Sequence, residues 1–150
     1  MAKRTEAELR ANVCDENSCW TEGTIADSGV TANLKGSWHI LTLDRHFQGC
    51  DAQRLGNIAD GVAVYPNENN KRLRVLELKP KVDDYPDAAK KLHKTIPLLR
   101  KRLPHGFRGL RVDLELHVKE MPVLTTKLRK VIENEDVQYG VRAYCDGEQV

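Results

Sequence analysis

The feature that most constrains this chain is a change of hydrophobic period on either side of residue 83. "RLRVLELK", residues 72–79, reads as a strand, with Leu76 and Leu78 on one face and Glu77 and Lys79 on the other. From Asp83 to Leu103 the apolar residues Ala89, Leu92, Ile96, Leu99 and Leu103 recur at intervals of three and four, which marks one face of a helix. "LRVDLELHVKEM", residues 110–121, then alternates. Val112, Leu114, Leu116 and Val118 face one way, and Arg111, Asp113, Glu115, His117 and Lys119 the other, as in a half-buried strand with one wet face. A strand–helix–strand succession needs a crossover, so the two strands should be parallel neighbours in one sheet. Pro86 suits the first turn of the helix, and Pro104-His105-Gly106 ends it. Pro97 lies inside the pattern and is expected to kink the helix or break it in two.

The rest of the chain fits round this unit. "RTEAELRANV", residues 4–13, has helical character, with Thr5 as N-cap and Glu8 three residues on. Residues 15–36 are rich in Asp, Asn, Ser, Thr and Gly and read as irregular, with a short strand at 23–26. "SWHILTLDRHF", 37–47, and "DGVAVYP", 60–66, read as strands. "NENN", 67–70, is a turn that joins the second of these to strand 72–79 as an antiparallel pair. A short helix near 124–133, a last strand at 137–144 and a mobile tail, "DGEQV", complete the reading. The expected fold is α/β (or α+β): a single domain, residues 1–150, with a central mixed sheet flanked by helices.

A chain of 150 residues is long enough for one domain with a sizeable core. Aromatic residues make up only 5%, too few for a base-stacking surface, and a net charge of +2 leaves any basic patch local. No apolar run is long enough to span a membrane, and the first twenty residues carry no apolar core of the signal-peptide kind. A cytoplasmic protein with reduced cysteines is the expectation.

Chemistry concentrates at Asp60, Glu77 and Lys79. In the expected hairpin the start of one strand lies beside the end of the next, which brings Asp60 to Glu77 and Lys79. Two carboxylates at one sheet edge suit a hard divalent cation, Mg2+ or Mn2+, with the backbone carbonyl of Leu78 as a further ligand. A neighbouring lysine can orient a water or offset charge on a phosphate. The plain alternative is a pair of solvated charges at a sheet edge.

"D-x16-E-L-K", with the Asp opening one strand and Glu-Leu-Lys closing the next, resembles the PD-(D/E)XK, restriction-endonuclease-like, nuclease superfamily. The likeness covers roughly residues 37–120 and includes a following helix, "AAKKL", similar to the "A-x-x-Q-L" helix of some members. The resemblance implies a restriction-endonuclease-like core and hydrolysis of a phosphodiester, DNA ahead of RNA. It implies Asp60 and Glu77 as metal ligands, Lys79 as catalytic lysine, and an acid from the first helix, Glu8 before Glu6. Lys91 and Lys94 would hold the nucleic-acid backbone. Two departures stand out: Ala59 replaces the proline of the motif, and Lys91 stands where glutamine is often found. The small size leaves target recognition to a homodimer or a protein partner. An alternative is an inactive nuclease-like scaffold in a nucleic-acid-processing or phage-defence complex.

Other groups have ordinary readings beside functional ones. Lys90, Lys91, Lys94, Arg100, Lys101 and Arg102 form a basic helix face, and the last three also suit the helix C-terminus. Cys14 and Cys19, spaced C-x4-C, could join Cys50, Cys145 or a histidine in a zinc-stabilised interaction domain, or be plain thiols. Asp113, Glu115 and His117 could bind metal or form a solvated face. Asp44, His46 and Asp51 precede the motif, and Asp51 could approach Asp60. Trp38 and His39 are expected to pack the first strand.

Overall fold

The structure is a computed structural model that describes residues 3–27, 29–43, 58–65, 72–80, 85–119, 141–145 and 148–149. Helix α1 (Lys3–Asn12) leads through a 3-10 turn (Asn17–Cys19) into β1 (Trp20–Glu22), β2 (Thr24–Asp27), β3 (Val30–Asn33) and β4 (His39–Thr42). Then follow β5 (Gly61–Val64), β6 (Arg72–Lys79), α2 (Tyr85–Arg102), β7 (Arg111–Val118), β8 (Val141–Cys145) and β9 (Glu148–Gln149). The expected turn at 67–70, the helix at 124–133, and Asp44, His46, Cys50 and Asp51 lie outside the described residues.

Seven strands form a mixed sheet in the order β1-β4-β5-β6-β7-β8-β9. The pairs β4–β5 and β5–β6 are antiparallel, whereas β6–β7 and β7–β8 are parallel. The crossover through α2 therefore does what the change of period predicts. Both β6 and β7 are buried along nearly their whole length, as parallel strands covered on two faces must be.

Each sheet face has its own core. On one face Leu73, Val75, Leu114, Leu116 and Val118 pack under Leu92, Leu99 and Leu103 of α2 and Leu9 of α1. On the other, Leu76, Leu78, Ile40 and Ala63 pack with Ile25, Val30 and Ala32 of the β2–β3 hairpin. Residues 15–36, read as irregular apart from a short strand at 23–26, hold three short strands, of which β2 answers to the expected one and β1 and β3 do not. Gly23 (φ 73°) and Gly29 (φ 79°) supply the left-handed turns that a sequence of small polar residues conceals.

Four further expectations are corrected. Helix α2 runs unbroken through Pro97, which sits on its exposed side. Thr5 is no N-cap, because α1 begins at Lys3. Instead the Thr5 hydroxyl donates to the Gly106 carbonyl (3.4 Å), and Glu8 accepts from the Gly106 N–H (3.0 Å), clamping the turn after α2. The tail is not free throughout, since Glu148–Gln149 pairs with Tyr144 and Cys145. The wet face of β7 is dry: Asp113, Glu115 and His117 are all buried. Arg72 pairs with Asp113, Arg74 binds Glu115 through two nitrogens (2.5 and 2.7 Å), and His117 Nε2 lies 3.0 Å from Glu115. Alternation alone does not distinguish a solvated polar row from a buried one that matches arginines on the next strand.

Candidate metal and phosphate site

The site is built by the β5–β6 register. Gly61 stands opposite Leu76, so one step further along the antiparallel pair Asp60 faces Glu77. Both project to the face covered by α2, where Val62 and Val75 lead the row. Asp60 is 8% exposed and Glu77 1%, so this is not a solvated sheet edge.

Asp60 is fixed by the strand beside it: its Oδ2 accepts the Leu78 N–H at 2.8 Å. The Leu78 amide thus orients the carboxylate that the Leu78 carbonyl was expected to assist as ligand. Glu77 is less well compensated. Burial first, then its hydrogen bond to Asp60 and the Asp60 charge, push its carboxyl up to about 9, while Lys91 and Lys79 pull the other way. Glu77 Oε2 is buried with no hydrogen-bond partner among the described residues. Lys91 Nζ stands 3.7 Å from it, at ion-pair distance.

An orphaned carboxylate oxygen between a second acid and two lysines is costly in an apolar setting. A hard divalent cation is the group whose chemistry fits such a donor set, and Asp60 and Glu77 are the residues that would hold it.

The structure brings Asp60, Glu77, Lys79 and Lys91 together and leaves the other candidates apart. Glu8 is occupied by Gly106, and Glu6 by His39 (2.7 Å) and Arg10 (3.3 Å). Lys94 is exposed on α2, one turn on from Lys90, which is also exposed. Lys91 leaves that outer face and leans over the sheet.

Thr95 is the residue that sequence reasoning missed. Fully buried, its hydroxyl donates to the Lys91 carbonyl (2.7 Å) and accepts the Ala59 N–H (2.8 Å). It ties the turn of α2 that carries Lys91 to the residue before Asp60. The signal was a lone polar residue on the apolar face between Leu92 and Leu99.

No helix among the described residues is long and apolar enough to cross a membrane. The chain matches no protein-family model, no curated protein and no solved structure.

Proposed function

We propose that the chain is a metal-dependent nuclease that hydrolyses phosphodiester bonds, in DNA ahead of RNA. The observation that carries this reading is the buried Asp60–Glu77 pair with a Glu77 oxygen that takes no hydrogen bond among the described residues. Mg2+ or Mn2+, when bound there, would supply Lewis-acid polarisation of a phosphoryl oxygen and a water of lowered pKa. The protein's own groups do the rest. Asp60 is held in place by the Leu78 N–H, and Glu77 would release its proton to solvent on becoming an anionic ligand. Lys79, on the same strand face as Glu77, would offset charge on the phosphate or donate a hydrogen bond that orients the attacking water. Lys94 and Lys90 give exposed positive charge along α2 for a polyanion backbone.

A cleavage assay on plasmid and single-stranded DNA with Mg2+ or Mn2+ tests it. Wild type should cut and Asp60→Ala/Glu77→Ala should not; cutting that survives intact in the double variant refutes the assignment.

One observation favours a second reading. Lys91 already places an ammonium 3.7 Å from Glu77, a built-in cation at the position where the resembling superfamily often has glutamine. On this reading the chain is an inactive nuclease-like subunit that binds nucleic acid or a partner. Wild type that retains DNA without cutting it, in either metal, supports this second reading, and Lys91→Gln should then raise metal affinity.

A further inference from the structure

We propose that Cys14, Glu16 and Cys19 form a site for a borderline-soft divalent cation, Zn2+, that latches the end of α1 to edge strand β1. The two thiol sulfurs and a Glu16 carboxylate oxygen all lie within 4.8 Å of one another. Cys14 Sγ is 3.2 Å from Cys19 Sγ, and Cys19 Sγ is 3.9 Å from Glu16 Oε2. Two sulfurs about 2.3 Å from a tetrahedral zinc stand about 3.8 Å apart, so these thiols need separate by only about half an ångström. A C-x4-C spacing lies within the range zinc ligand pairs use.

The backbone holds this arrangement without any ion. The Cys14 N–H donates to the Leu9 carbonyl (3.1 Å), and the Cys14 carbonyl accepts the Trp20 indole N–H (3.0 Å). The Cys19 N–H closes the 3-10 turn on the Glu16 carbonyl (3.0 Å). Arg10 stacks over the Trp20 ring (4.3 Å) and reaches Asp15 (3.4 Å), bracing the loop from the helix side. All three donors therefore belong to one short, ordered connection.

The donor chemistry chooses the metal. Thiolates favour zinc over magnesium or manganese, which separates this site from the all-oxygen Asp60–Glu77 pair. Cys19 is buried and Cys14 half-buried, so a bound dication would offset the charge of both thiolates. Binding converts two thiols to thiolates and releases two protons; the fourth position is open to water.

The test is titration of Co2+ into the full-length, reduced, metal-free protein. Thiolate-to-Co2+ charge transfer should appear in the near ultraviolet, saturate at one equivalent and vanish on adding Zn2+. Cys14→Ser and Cys19→Ser should abolish it. Cys145→Ser should keep it, because Cys145 lies on β8 across the sheet. Asp60→Ala/Glu77→Ala should also keep it, so failure here is distinct from failure of the nuclease reading. Glu16 is exposed, so Glu16→Gln should fold normally and lose about tenfold in Zn2+ affinity. No thiolate band in wild type, a Cys14–Cys19 disulfide in freshly purified protein, or unchanged zinc affinity in Glu16→Gln would each overturn the proposal.

Discussion

Strands β6 and β7 lie side by side, yet the two faces they share treat buried acids in opposite ways. On the hairpin-covered face, Asp113 and Glu115 meet Arg72, Arg74 and His117, and the Arg74 guanidinium also lies over Trp38 at 4.9 Å. Burial alone would raise Asp113, but Arg72, then Arg111 and Arg142, hold its carboxyl below the ordinary range. On the helix-covered face, Asp60 and Glu77 meet each other, and Glu77 Oε2, with Lys91 at ion-pair distance, takes no hydrogen bond among the described residues. A charge network that is complete holds two strands in register. One that leaves a buried carboxyl oxygen without a hydrogen bond among the described residues is, on the proposed function, where an added cation would bind.

The largest effect should come from breaking the complete network. Arg74→Ala leaves buried Glu115 with His117 and the more distant Arg72 alone and should cost about 3 kcal/mol in urea denaturation at neutral pH. A loss under 1 kcal/mol would erase the distinction between the two faces.

Glu77→Gln should act in the other direction. Without metal it removes a poorly compensated buried acid and should stabilise by on the order of 1 kcal/mol at pH 8. With metal it should lower Mn2+ affinity by on the order of a hundredfold. The pH windows differ in sign as well. Native Glu77 keeps its proton up to about 9 against an ordinary value of 4.5, so its contribution is full below about 4.5. That contribution is lost as pH rises towards 9, and the gain from Glu77→Gln in chelator should grow over the same range. Asp113 is depressed, so its stabilisation is present above the ordinary carboxylate range and lost as pH falls through its lowered value. Comparing Asp113→Asn with wild type should therefore show a difference that shrinks in acid.

A smaller effect is expected where the helix is tied to the site. Thr95→Val leaves the buried Ala59 N–H without its acceptor and should cost about 1–2 kcal/mol. It should also weaken Mn2+ binding several-fold, and Thr95→Ser should restore both. The smallest effect belongs to the outer face of α2. Lys94→Ala should weaken DNA binding a few-fold regardless of sequence and reduce the salt dependence by about one counterion.

Much of this contrast was legible in the residues themselves. The period change predicts the β6–α2–β7 crossover, and β6 spans Arg72–Lys79 as its alternation indicates. The meeting of Asp60 with Glu77 follows from hairpin register alone. What could not be read was anything set by a distant segment. The polar row of β7 looks like a wet face until the β2–β3 hairpin covers it, and that hairpin depends on glycine turns in a polar stretch. Glu8 looks available to the site until Gly106 is placed beside it. Pro97 offers a break in the helix pattern, but a proline on the exposed side of a helix whose apolar face is packed does not interrupt it. Lys91 stands out in the sequence at the motif's glutamine position, but its ion pair with Glu77 follows only from how α2 packs on β6.

The central claim is that the acids under α2 are a cation site and those under the hairpin are not. Calorimetric titration of Mn2+ into wild type, Glu77→Gln and Asp113→Asn tests it most directly. The account predicts one bound ion in wild type and in Asp113→Asn, and none in Glu77→Gln over the same concentration range. Equal binding by wild type and Glu77→Gln, or no binding by wild type, would contradict it.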